Sequence, residues 1–236
     1  MTFGSTSGTY TFLPPLASIT VEAFDRIGWR PPQLSRHHWI SARESLNYIF
    51  VDWANRGINL WEVDLINIPL VANQATYLID QSTVTLLDVY YTTVNGGGAG
   101  VNLDRLMLPI GRDEYAAIPN KLLVGTPTTY WYQKLVQPQI TFWQPPEAGA
   151  PNYEVNAYRL RRTQDANVAM GEAPDVQYRF LDTLAYFMAE RMAEKFQKDQ
   201  VQAMQQRRAE SWALAAGTDR EDVNIKVQMD FGSYYR

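Results

Sequence analysis

The chain has 236 residues, 46% of them apolar, and a formal net charge of −4. That is enough for one large domain or two small ones with a real core. The acidic balance argues against a binder held by phosphate contacts, and the lack of cysteine excludes disulfides and thiolate metal sites and points to folding in a reducing cytoplasm.

The N-terminal MTFGSTSGTYTF has neither the basic nor the apolar region of a secretory signal, and no apolar run approaches the length of a membrane span. Residues 1–15 read as an irregular arm of Gly, Ser and Thr closed by Pro14-Pro15. Ser18 is placed to cap a short helix with Glu22 in its first turn and Ile19, Ala23, Phe24 and Ile27 on its apolar side. Gly28 ends it and Pro31-Pro32 stiffens the connection. A second helix is predicted from about Arg36 to Arg56, with Ser35 as N-cap and Gly57 as stop. Its Trp39, Leu46, Ile49, Phe50 and Trp53 recur at helical spacing. The two helices are expected to form a hairpin packed on a third, described below.

After Gly57 the apolar pattern changes to a period near two. Leu60–Ile68, Ala75–Ile79, Thr83–Thr92, Leu103–Leu108, Thr128–Val136, Gln139–Trp143 and Tyr153–Arg161 read as strands, rich in Val, Ile, Thr, Tyr and Trp and punctuated by Gly, Pro and Asn. Such a series predicts an antiparallel sandwich or barrel-like sheet. Asp113–Ile118 reads as a short helical turn within it. The Gly-rich run 95–100 reads as a hairpin tip, because no Lys-Ser/Thr pair opening a helix follows it, as a phosphate loop requires. Residues 162–173 form a polar return.

Pro174 to Gly217 reads as one long helix, with proline at its first turn, Asp175 at the positive end of its dipole and glycine as its stop. Leu181, Leu184, Met188, Met192 and Phe196 mark its apolar face, widened by Tyr178, Phe180 and Phe187. From Gln197 to Glu210 the sequence is mostly Gln and charge, which predicts a half that projects into solvent or packs on other subunits. The fold class is therefore α+β: a helical domain (16–58 plus 174–217) with an inserted β domain (59–173) and an extended tail (218–236). In that tail Val223, Ile225, Val227, Met229 and Phe231 alternate with polar residues and end in Tyr234-Tyr235-Arg236. A lone terminal strand finds its backbone partners on a sheet edge, in its own domain or on a neighbour.

Chemistry is sparse. His37 and His38, the only histidines, are adjacent on a helix and do not face one another. Asp113-Glu114 is read as a solvated pair, its alternative being a carboxylate couple facing a cleft. Tyr130, Trp131, Tyr132, Phe142 and Trp143 are read as core and cross-strand pairs, with a sugar platform as the alternative. The sequence lacks nucleophile-elbow, metalloprotease and calcium-loop motifs. No catalytic residue, metal or cofactor is expected.

Several pieces, in this order and spacing, resemble the head-to-tail adaptor proteins of short-tailed bacteriophages, also called tail tubular protein A or tail accessory gatekeeper proteins. They are Leu46-Asn47, Trp53-Ala-Asn-Arg-Gly57, Leu60-Trp61, Tyr77-Leu78, Leu86-Leu-Asp-Val-Tyr-Tyr91 and Asp113-Glu-Tyr-Ala-Ala-Ile-Pro-Asn120. They continue with Gly125-Thr-Pro, Tyr130, Pro138-Gln-Ile140, Trp143-Gln-Pro-Pro-Glu147, Tyr158-Arg-Leu-Arg161, Ala173-Pro174, Glu221-Asp-Val223 and Asp230 to Arg236. The resemblance implies a structural virion protein of the tail neck, assembled in the host cytoplasm. Its subunits would form a ring, usually dodecameric, beneath the portal protein. That ring would extend the channel for genomic DNA without sequence-specific binding and meet the tail nozzle and the fibres or spikes, with no membrane involved. It also implies that Val223, Ile225, Val227, Met229, Phe231, Tyr234, Tyr235 and Arg236 dock on the portal or a neighbouring subunit. Rings need head-to-tail interfaces, and Val201, Met204, Arg207, Arg208 and Trp212 are the candidates for them. The competing readings are a carbohydrate- or receptor-binding module on a fibre, and a hydrolase using Asp113 or Glu114.

Overall fold

The computed structural model describes residues 8–56, 62–94, 100–147, 153–167 and 169–217. The 95–99 tip and the 218–236 tail therefore lie outside the described residues, as does the Gly57 stop. Helix α1 spans Leu16–Arg26 and starts directly after Pro15, so Ser18 lies inside its first turn and does not cap it. Another segment takes that role: the Leu16 N–H donates to the Glu172 carbonyl (2.9 Å) and the Ala17 N–H to the Met170 carbonyl (2.8 Å). The leading N–H groups of a helix need acceptors from outside it, and here the polar return supplies them. Helix α2 spans Arg36–Ala54 with Ser35 as N-cap; the Ser35 N–H donates to His38 Nδ1 (2.9 Å), closing a capping box with an imidazole in place of the usual carboxylate.

The long helix expected from Pro174 is two antiparallel helices. Residues 174–177 stay outside the helix, because Asp175 is held by Arg161 (one contact at 3.0 Å) and by the Gln164 N–H (3.3 Å). A 3-10 turn at Tyr178–Phe180 leads into α4, Leu181–Phe196. Gln197, at φ −148° and ψ 69°, leaves the helical region, a second 3-10 turn covers Lys198–Gln200, and α5 runs back over Val201–Gly217. The apolar side chains of a mostly polar stretch decide this: Met204 and Ala215 are buried and Trp212 sits 5.4 Å from Trp53, 5.6 Å from Phe187 and 5.9 Å from Phe180. Helices α1 and α2 do not pair as a hairpin; each packs on α4. Arg26 fastens α1 to α4 through Asp182 (2.7 Å) and lies over the Tyr186 ring. Lys195 of α4 reaches Ser41 Oγ (2.9 Å) and Ser45 Oγ (2.7 Å) of α2, and partial burial of its ammonium pushes its pKa below the ordinary lysine value.

Among the described residues, eight strands form two four-stranded sheets. In the first, β1 (Val63–Ile68), β8 (Tyr153–Arg161), β3 (Thr83–Thr93) and β4 (Leu103–Leu106) lie side by side in that order, all antiparallel. In the second the order is β2 (Thr76–Leu78), β7 (Gln139–Trp143), β6 (Thr129–Gln133) and β5 (Leu108–Pro109), and β5 pairs with β6 in parallel, the exception to the expected antiparallel pattern. The single strand expected at Leu103–Leu108 divides at Met107. Its N–H donates to Val89 of the first sheet (2.8 Å), and the next N–H, of Leu108, donates to Thr128 beside the second (3.2 Å). The buried Met107 side chain thus marks where the chain changes sheets. Between the sheets Val89, Ile140, Phe142, Val155 and Ala157 are fully buried, a cluster separate from the one formed by the helices. Arg159 on β8 ties neighbours on both sides, Asp64 of β1 (2.6 Å) and Thr83 of β3 (3.0 Å). Helix α3 spans Arg112–Ala117, close to the predicted turn.

Candidate docking and assembly surfaces

Of the five predicted ring-contact residues, four are engaged within the chain. Met204 is buried, Val201 packs against the helical core, and Trp212 fills the aromatic pocket described above. Arg208 pairs with Glu190 of α4 at 2.8 Å, and the Glu190 side chain is 5% exposed. Its guanidinium also lies over Phe187 (5.2 Å). Burial pushes the Glu190 carboxyl above the ordinary glutamate range even with Arg208 beside it. Arg207 faces outward, where Glu210 stands 3.8 Å away. The eight tail candidates, Val223 to Arg236, lie outside the described residues.

The residues weighed for chemistry have local structural partners. Glu114 accepts from the Gly111 N–H (2.7 Å) and so caps α3, while Asp113 is exposed beside Arg112. His38 packs its ring against Trp29 (4.9 Å) and Phe196 (4.7 Å). Tyr130 and Phe142 point into the sheet core. Trp131 stacks on Tyr115 of α3 (5.1 Å) and Trp143 Nε1 donates to the Asn120 carbonyl (3.1 Å). The aromatics on the outer face of the sheet thus fasten α3 and the turn after it. Among the described residues no group of three His, Asp or Glu stands together as a metal site, and no helix is long and apolar enough to cross a membrane. A polar groove of about 590 Å³ beside β1 and β8 is lined by Asp64, Asp80, Arg159 and Arg161, whose charges pair with one another or with Asp175.

What the molecule does present is apolar surface at the margins. Tyr48 and Val51 are exposed on the outer side of α2. Leu103, Leu106 and Leu108 are exposed along the adjacent edge strands β4 and β5, and Leu122 (82%) and Val136 (95%) stand out from turns. Isolated exposed apolar residues are ordinary, whereas runs at strand edges and turns are the usual material of protein contacts. The strand expected at Thr128–Val136 ends at Gln133, which leaves Leu135 and Val136 in the turn that follows.

A family model described as SU10 adaptor protein matches residues 16–230. The chain belongs to the SU10 adaptor protein family. It is a structural phage protein, and the match begins at the first residue of α1 and takes in the alternating residues Val223 to Met229, ending one residue before Phe231. A search of curated proteins returned no match. Several of the sequence words that resembled phage adaptors are, among the described residues of this SU10 adaptor, structural fastenings. Asn47 accepts the Ala166 N–H (2.8 Å), and the Tyr77 hydroxyl donates to the carbonyls of Val71 and Gln74. The carbonyl of Pro145 receives the Gly125 N–H (2.9 Å) and that of Pro146 the Asn73 N–H (2.7 Å). A Cβ on Gly125 would run into the side-chain amide of Gln144, which would have to move to admit it. Arg159 and Arg161 make the ion pairs with Asp64 and Asp175.

Proposed function

We propose that this adaptor docks beneath the portal as a ring of copies, extends the DNA channel, and offers its outer surfaces to the tail nozzle and to fibres or spikes. The single observation that carries this reading is the span of the family match, which takes in both the folded region and the tail to residue 230. A tail with strand alternation that belongs to the family pattern is suited to adding a strand to a partner's sheet edge. The division into a helical domain, an inserted β domain and a docking tail fits this role: the folded region builds the ring and the tail clasps the portal. An acidic chain does not hold DNA by counterion release, which suits a passage.

The experiment is electron microscopy and pull-down with the portal protein of the same phage, using the full chain and a chain ending at Gly217. A second ring stacked on the portal, formed by the full chain only, is the expected result. Equal binding by the truncated chain would overturn the assignment of the tail. No association with either would overturn the adaptor ring.

A further inference from the structure

The outer face of the first sheet carries two ordered rows, each crossing all four strands. One row is polar. The Asn67 side-chain amide of β1 donates to Asn156 of β8 (3.1 Å), Asn156 to the Thr92 hydroxyl of β3 (3.2 Å), and that hydroxyl to Asp104 of β4 (2.6 Å). Two residues along each strand lies an apolar row, Leu65, Tyr158, Tyr90 and Leu106, in which Leu65 pairs with Tyr158, Tyr158 stands 6.2 Å from Tyr90, and Tyr90 pairs with Leu106. Leu65 (50%), Tyr158 (41%) and Leu106 (65%) are exposed. The solvated face of an antiparallel sheet is ordinarily polar, so a continuous apolar row on it is contact surface. Glu154 and Asp104 are the register partners of Thr92 on its two sides, which sets them two strand spacings, about 10 Å, apart. Neither carboxylate has a cation partner among the described residues.

The opposite chemistry stands on the outer side of α2. Arg36 and Arg43 flank Trp39 and Ile40 around a cleft of about 440 Å³ that Met170 also lines. Neither arginine has an ionic partner among the described residues, and Ile40 is 43% exposed. Seven residues of helix separate the two arginines, again about 10 Å. The two surfaces thus carry charge pairs of opposite sign and equal spacing, each beside apolar side chains. We propose that the α2 face of one copy seats on the outer sheet face of the next, with Arg36 and Arg43 on Glu154 and Asp104 and with Trp39 and Ile40 against the apolar row. The occupant is a second copy, because the complementary charges stand on this chain and are unspent within it. Unlike surfaces make a heterologous contact, the kind that repeats round a ring. The inference rests on the ring reading above and names the contact that builds the ring.

Charge reversal in the full chain tests it, read as adaptor assembled on portal rings of the same phage. Arg36→Glu with Arg43→Glu, and separately Asp104→Lys with Glu154→Lys, are each expected to assemble more than tenfold less well at an unchanged Tm. All four changes in one chain restore opposite signs and are expected to recover assembly. Wild-type assembly by either double variant, or no recovery in a folded quadruple variant, would overturn the contact. A second measurement leaves the charges in place. The chain has no cysteine, so Ile40→Cys with Leu106→Cys supplies the only thiols, one on each exposed face. Assembled on portal, oxidised and run on a non-reducing gel, this variant should give a ladder of joined copies. Rings without a ladder would overturn the contact and leave the ring reading intact, and a ladder that stops at dimers would show reciprocal pairs and overturn it as the ring contact. A wild-type chain that forms no ring on portal would overturn the ring reading and this inference with it.

Discussion

Removing Arg208 leaves the carboxylate of Glu190 in a site where its side chain is 5% exposed. At 2.8 Å and an effective dielectric constant of about 20, the gross attraction is about 6 kcal/mol, offset by several kcal/mol of lost hydration for each ion. Breaking such a pair by deleting one partner costs about 3–5 kcal/mol, because the remaining charge is uncompensated. Arg208→Ala is therefore expected to lower stability by about 3 kcal/mol at pH 7 in urea unfolding followed by tryptophan fluorescence, and Trp212 makes α5 visible in that signal. The sign of the pH dependence follows from the raised folded-state value of Glu190. Its contribution is fully present below the unfolded value of about 4.3 and is lost as pH rises through the folded value. The Arg208→Ala deficit should thus narrow as the medium is acidified toward pH 4, where a protonated Glu190 needs no cation. Adding Glu190→Gln should recover most of the loss at pH 7. Detachment of α5 would rehydrate Glu190, so the cost cannot exceed what holds α5 in place, and hydrogen exchange on α5 amides should rise first. A cost under about 1 kcal/mol, or a deficit that does not change with pH, would refute the reasoning.

Other expectations follow from the same geometry. Asp175→Asn should cost about 1.5–3 kcal/mol at pH 7. Arg161 holds this carboxyl below the usual range, so its contribution is present above about pH 4 and lost as pH falls through the folded value; a stability–pH curve in which the variant keeps the full acid slope would contradict this. Trp53 is fully buried and its indole N–H finds no acceptor among the described residues. Trp53→Phe should accordingly cost less than about 1.5 kcal/mol in thermal unfolding, and Trp53→Ala about 3–5 kcal/mol. Trp143→Ala should free the turn after α3, seen as faster proteolysis between Asn120 and Gly125, and leave the helical core unchanged; binding of a glycan lost in that variant would point instead to the carbohydrate reading.

The strands were legible because their residues obey a period that nothing else explains, and the edges of α2 because Ser35 and the apolar spacing agree. Met107 defeated the pattern: as an apolar residue among Leu106 and Leu108 it reads as strand, and only the second sheet beside it shows why the chain steps across. The α4–α5 reversal was hidden for a related reason. Helix propensity from Phe196 to Val201 is continuous, and the turn is imposed by tertiary fit of Trp212, Met204 and Arg208. Those same residues were marked as surface contacts because a mostly polar helix conceals a narrow apolar seam. The capping of α1 was illegible in principle, since its acceptors lie at residues 170 and 172. Of the candidate assembly surfaces, the tail pattern was plain in the sequence, while the exposed edges at Leu103 to Leu108 looked like ordinary strand.

The closing of α1 by Glu172 and Met170 has a consequence for synthesis. A chain emerges from the ribosome N-terminus first, yet α1 cannot satisfy its leading N–H groups until more than two-thirds of the sequence has been made. Its apolar side waits longer still, for α4. The eight strands among the described residues are out by Arg161, before α4 begins. The first helix to be translated is therefore among the last parts to be finished, and the two sheets can form while it waits.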